Sequence, residues 1–193
     1  MIRTERTGTE TAADAAEILR FWFEDCRPWQ WFRHNPHFDQ AITDRFGDLT
    51  MSAQAGALTD WEQQPGSALA LVLLLDQFSR HVWRGQAQAF AGDARALAIS
   101  RVALQQGWIQ MEPERARRQF WLMPLLHSEE IATVENAIPL LERWADDATA
   151  AIARRNLQML IQYGRYPWRD QSGVLTNGRW CAPNHSNASC RTP

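Results

Sequence analysis

Apolar positions recur along this chain with a helical period. From Asp14 to Phe23, Ala15, Ile18, Leu19, Trp22 and Phe23 fall at i, i+3, i+4, i+7 and i+8, one face of an amphipathic helix. A second helix is predicted with Asn35 as cap and Pro36 at its first position, carrying the stripe Phe38, Ile42, Phe46 and Leu49 and stopping at Gly56. After a loop from Thr59 to Gly66, the string SALALVLLLDQFSRHVW reads as a helix whose first half is apolar on every side, so it must be buried. QAQAFAGDARALAISRVALQQG then reads as an alanine-rich helix ending at Gly107, suited to close helix packing. A shorter helix is expected from near Pro113 through Phe120 to Pro124. Ser128 is the expected cap of the next, with Ile131, Val134, Ile138 and Leu141 as its stripe and a kink or break at Pro139. The last runs from about Asp146 to Tyr163 and ends at Gly164.

No segment alternates convincingly between polar and apolar residues, so the chain is expected to be all-α, with about seven or eight helices stacked as antiparallel hairpins. The roughly 34-residue tetratricopeptide consensus is absent, so a likeness to that fold concerns architecture only. Residues 11–170 are expected to form one helical domain. From Gln171 to Pro193 the composition turns to Gly, Asn, Ser, Pro and Cys without a period, which reads as an irregular, loosely attached tail.

Composition narrows the chemistry. The 193 residues carry 20 basic and 22 acidic side chains, a net charge of -2, and no lysine, so every fixed side-chain cation is an arginine. Schiff-base chemistry and a lysine-bearing phosphate loop are thereby excluded, and proton carriers must come from five His, the carboxylates, two Tyr and three Cys. The charge balance argues against nucleic-acid binding. The longest apolar run, Ala68 to Leu75, is too short for a membrane span and MIRTERTGTE is polar, so a soluble, cytoplasmic protein is expected. Cys26, Cys181 and Cys190 are odd in number and widely spaced, against a disulfide framework; Cys181, His185 and Cys190 lack a fourth metal ligand, as do His34 and His37 a completing set. No cofactor or hydrolase motif is present, so neither metal nor cofactor is expected.

Three stretches could carry chemistry. In Asp76-Gln77-Phe78-Ser79-Arg80-His81-Val82-Trp83-Arg84, the acid and both arginines lie four apart on one helix side and follow the buried apolar run. Charges there need partners, as a brace between helices or as an anion site; Asp93 is a candidate partner. In Leu122-Met123-Pro124-Leu125-Leu126-His127-Ser128-Glu129-Glu130, His127 is the best proton carrier, or else packs beside a cap made by Ser128 and Glu129. In Tyr163-Gly164-Arg165-Tyr166-Pro167-Trp168-Arg169-Asp170, arginines alternate with aromatics, which can clasp an anion, stack on a planar ligand, or wrap the bundle. The aromatic cluster Trp29-Gln30-Trp31-Phe32 can line a pocket or fill core.

The strings LALVLLLDQFSRHVWRG, AFAGDARALA, FWLMPLLHSEE and YGRYPWRD, in this order, resemble the family known as domain of unknown function 924 over about residues 15 to 170. Its pattern runs Leu-Asp-Gln-Phe-Pro-Arg-Asn with Arg-Gly, then Phe and Asp, then Pro-Leu-x-His-Ser-Glu, then Phe-Gly-Arg-Phe-Pro-His-Arg-Asn. The resemblance implies a helical, tetratricopeptide-like fold and no established activity. This chain departs from it at Ser79 for Pro, His81 for Asn, Trp168 for His, Asp170 for Asn, and Asn156 where a His is expected.

Together these readings point to a small-molecule site for an anionic, possibly aromatic ligand. His127 with Glu129 or Asp76 would be the acid-base pair, and Arg80, Arg84, Arg165, Arg169, Tyr166, Trp168, Gln77 and Ser128 would bind. The alternative is a non-catalytic helical scaffold holding a peptide or partner protein in its groove.

Overall fold

The computed structural model describes residues 8–169, 174–176 and 179–181. Helix α1 (Gly8–Arg20) runs into a π-wound turn (Phe21–Asp25). Helix α2 (Pro36–Gln54) starts as the sequence predicts, with the Asn35 side chain accepting from the backbone N–H of His37 and Phe38. Helix α3 (Pro65–Val72) continues through a π-wound stretch (Leu73–Phe78) into α4 (Ser79–Val82). Then follow α5 (Asp93–Gln105), α6 (Trp108–Met111), α7 (Arg115–Leu126), α8 (Ile131–Trp144) and α9 (Asp147–Tyr163). Counting α3 through α4 as one rod, the described residues hold eight helices, and the architecture is all-α.

The rod is the centre of the molecule. Residues 68–75 are all buried, as the apolar string requires. At about 1.5–3 kcal/mol for each fully buried leucine, this segment is a principal source of stability. Helix α3 packs against α1, α5 and α7, and the π-wound stretch packs on α2 and α5. Helices α7, α8 and α9 stack in chain order, joined by short turns, with the hairpin arrangement expected.

Local structure departs from the sequence reading at five places. Residues between Gly85 and Asp93 do not extend α5, because the chain turns through Gly85 at φ 77° and forms a short 3-10 turn, Ala87–Phe90. The turn of α6 was not expected. Helix α8 begins at Ile131, not at Ser128, and the Ser128 hydroxyl accepts from the Glu130 N–H just outside it. His127 therefore lies at the carboxyl end of α7. Pro139 does not break α8, which runs on to Trp144, since it sits on the exposed face, where water can serve the carbonyl it leaves unpaired. In the expected irregular tail, Val174–Thr176 pairs antiparallel with Arg179–Cys181; the rest of 171–193, with His185 and Cys190, lies outside the described residues.

Among the described residues no helix is long and apolar enough to cross a membrane. Gly92, which opens α5, abuts the rod so closely that a Cβ there would stand 2.7 Å from the Leu75 carbonyl oxygen and 3.1 Å from its Cα. Backbone cannot yield as a flexible side chain does. Alanine ordinarily favours a helix over glycine, yet Gly92→Ala is expected to destabilise the fold by about 1–3 kcal/mol in urea unfolding; a variant as stable as the parent would contradict this packing.

Candidate functional site

Asp76 lies in the π-wound stretch and has no exposed surface. Its Oδ1 accepts from His127 Nδ1 at 2.8 Å and sits 3.2 Å from the Arg80 guanidinium, while Oδ2 accepts from Gln77 Nε2 at 2.6 Å. Burial alone would raise its pKa, but the Arg80 charge and the His127 contact outweigh that and hold the carboxyl well below the usual range. An ionised carboxylate only accepts, so Nδ1 of His127 carries the hydrogen of this contact and Nε2 is the nitrogen left outside it. The His127 side chain is 19% exposed.

Around this dyad the charges alternate. Arg80 also donates to the Asp76 backbone carbonyl and, at 3.0 Å, to Asp93 Oδ2. Arg169 reaches the same Asp93 oxygen at 2.8 Å and donates to the His127 carbonyl at 2.6 Å. The Phe90 ring centroid lies 5.3 Å from the Arg80 guanidinium and 4.9 Å from that of Arg169. Burial raises the Asp93 pKa, reinforced by Asp76 and opposed by the two arginines. Asp93 Oδ1 and Arg169 Nε are buried without a hydrogen-bond partner among the described residues.

The last motif closes over the same place because Gly164, at φ 71°, turns the chain back from α9. The Tyr166 hydroxyl lies within hydrogen-bond reach of the carbonyls of Leu126 and Ser128, which share its one hydrogen, and its backbone N–H donates to Glu129 Oε1 at 2.7 Å. Trp168 stacks on Tyr166 at 4.9 Å.

A second carboxylate–imidazole pair lies beside the first. Asp39, on the first turn of α2, accepts from His81 Nδ1 at 2.7 Å and from Arg84 through two bonds of 2.6 and 2.8 Å. Burial opposes ionisation of Asp39, but the bonds from Arg84 and His81 win and lower its pKa. Burial lowers that of His81, against the pull of Asp39.

Three cavities meet at His127. One of about 180 Å³ is lined by Gln77, Arg80, His81 and Arg84 with Arg33, Trp31 and Phe32. One of about 560 Å³ is mostly apolar, with Trp31, Phe32, Met123, Leu126 and Ile152. One of about 210 Å³ is lined by Arg80, Phe90, Asn156, Tyr166, Trp168 and Arg169. His127 contributes to all three. Among the described residues no group of three or more His, Cys, Asp or Glu side chains is placed to hold a metal ion.

Of the residues singled out in the sequence, Asp76, Gln77, Arg80, Arg84, His127, Tyr166, Trp168 and Arg169 lie at these cavities or directly behind them. Glu129 contacts Tyr166 and Arg169 and not His127, Ser128 is buried beneath the loop, and the exposed Arg165 lines none of the three cavities. Asp39 and His81 were not assigned to the site by sequence reasoning; only the departure from the family's Asn marked His81. Both positions where the family's imidazoles are replaced, Asn156 and Trp168, line one cavity, while the added His81 lines another. Ser79, which replaces the family's Pro, is buried and donates to the Leu75 carbonyl at 2.8 Å.

Asp76→Ala strands Arg80 and His127 around a void, and is expected to cost about 3–5 kcal/mol in urea unfolding at neutral pH. Because the folded pKa is depressed, the stabilisation by Asp76 is complete above its unfolded value near 3.9 and is lost as pH falls through the folded value. The gap between parent and variant should therefore narrow below about pH 4; a gap that widens in acid would contradict the assignment.

Known proteins add the family and no activity. No curated protein matches this chain. A solved structure, that of a protein of unknown function from Agrobacterium tumefaciens, is 34% identical with a TM-score of 0.76, over 82% of this chain and 89% of its own. The family model described as bacterial protein of unknown function (DUF924) matches residues 18–174. With four motifs in order, a matching helical fold and that span, the chain belongs to the DUF924 family.

Proposed function

We propose that this protein acts on a small organic molecule at the junction of the three cavities. His127 Nε2 takes and returns a proton, and Asp76 holds the imidazole in the tautomer that leaves Nε2 bare. The observation that carries this reading is that one imidazole lines all three cavities while its other nitrogen is bonded to a carboxylate with no exposed surface. A scaffold that merely held a peptide would gain nothing from burying an ion behind a pocket histidine at a desolvation cost of several kcal/mol.

Among the candidate partners for His127, Asp76 fits and Glu129 serves the loop, bonded to the Tyr166 N–H. Arg80, Arg84 and Arg169 already face carboxylates, so they shape the cavities and set their potential more than they offer free charge. Gln77 fixes the second oxygen of Asp76, and Tyr166 with Trp168 walls the cavity on the carboxyl-terminal side.

Diethyl pyrocarbonate, which reacts with an accessible bare imidazole nitrogen, tests this in the folded protein. Mass spectrometry should find His127 modified at pH 7 alongside the exposed His34 and His37, with benzoate slowing His127 alone. Asp76→Asn should slow it by about tenfold or more, because an amide carbonyl or amine no longer enforces the Nδ1–H form. Modification of His34 and His37 with His127 untouched would rule the proton role out.

A further inference from the structure

We infer that the molecule bound around His127 is an amphiphilic carboxylate, with its anionic head in the 180 Å³ cavity and a hydrocarbon tail laid along α7. The inference rests on the His127 site proposed above and adds the class of its ligand.

The two cavities have opposite characters and share a wall. The smaller presents Arg33, Arg80, Arg84, His81 and Gln77 and has no carboxylate among its lining residues. Arg80 and Arg84 are already paired, whereas among the described residues the exposed Arg33 guanidinium has no hydrogen bond or ion pair. One unshared cation beside two paired ones, in a cavity without a lining carboxylate, suits a monoanion of carboxylate size and planarity, which arginine engages through paired N–H groups.

The larger cavity follows a single face of α7, where Arg115, Ala116, Gln119, Met123, Leu126 and His127 line it in turn. Those twelve residue steps correspond to a groove of roughly 18 Å at 1.5 Å per residue. The groove is also lined by Phe32 and Ile152, which are 58% and 38% exposed and give it an apolar surface open to a ligand. Trp31, Phe32, Met123 and His127 line both cavities. A linear molecule can therefore place its head among the arginines, its tail in the groove, and the atoms just beyond the carboxylate against His127. A short anion leaves the groove empty, and a neutral hydrocarbon leaves the arginines unused.

Isothermal titration calorimetry with hexanoate, octanoate, decanoate and dodecanoate, below their micelle concentrations, tests the assignment. Each added methylene should tighten Kd by up to about fourfold until the groove is full. Dodecyltrimethylammonium, with the same tail and the opposite charge, should bind at least tenfold more weakly than dodecanoate. Ala148→Trp, at an exposed position on the groove wall, should abolish the chain-length dependence, with Ile152→Trp as a second block. Arg33→Glu should weaken dodecanoate about fivefold or more. Affinities independent of chain length, equal binding of the cationic amphiphile, or no binding of any chain would overturn the assignment. Chain-length-dependent binding that leaves the His127 Nε2 resonance unmoved would support the amphiphile and sink the proton role of His127.

Discussion

A carboxylate with no exposed surface is the constraint around which this molecule is arranged. Asp76 sits at the end of an apolar run that dictates the core, and an ion there is tolerable only with its oxygens fully engaged. Its three partners come from two directions: Gln77 and Arg80 from its own rod, and His127 from the end of α7. Arg80 hands the demand on to Asp93 at the start of α5, and Asp93 to Arg169 beyond α9. A chain of alternating charges thus fixes where four separate parts of the sequence meet, and the cavities are what the side chains leave open around it.

The absence of lysine takes on a physical meaning in this lattice. Arg169 bonds the His127 carbonyl and Asp93 together, and its plane lies near the rings of Phe90 and Tyr166. A compact ammonium group lacks both the fork and the stacking surface for this. Fixed, planar cations pair with the carboxylates without titrating themselves, which makes the imidazoles the candidate proton carriers at the cavities.

Much of this was legible because helices announce themselves through period and caps. Asn35 and Pro36 mark the start of α2, the run before Asp76 marks the buried rod, and a charge following such a run signals a buried pair. His127 stood out as the one imidazole in its motif, between an apolar stretch and two glutamates. Tertiary consequences were not legible. Asp39 looks like any first-turn acid, and only the packing of α2 on α4 turns it toward His81 and Arg84. Arg165 and Arg169 look equivalent between aromatics, until the left-handed turn at Gly164 sends the first outward and the second to Asp93. Ser128 has the look of a cap, but its hydroxyl serves a turn and α8 starts three residues later. Where the cavities lie depends on Trp31 and Phe32 packing against Phe120 of α7, which no local pattern encodes.

The central claim is that Asp76 forces the hydrogen of His127 onto Nδ1 and leaves Nε2 open to the cavities. Long-range proton–nitrogen NMR correlation of the histidine side chains, with His127 assigned by comparison with His127→Gln, reads that tautomer directly. The account predicts that the neutral imidazole carries its hydrogen on Nδ1 and leaves Nε2 bare; a neutral imidazole with its hydrogen on Nε2 would contradict it.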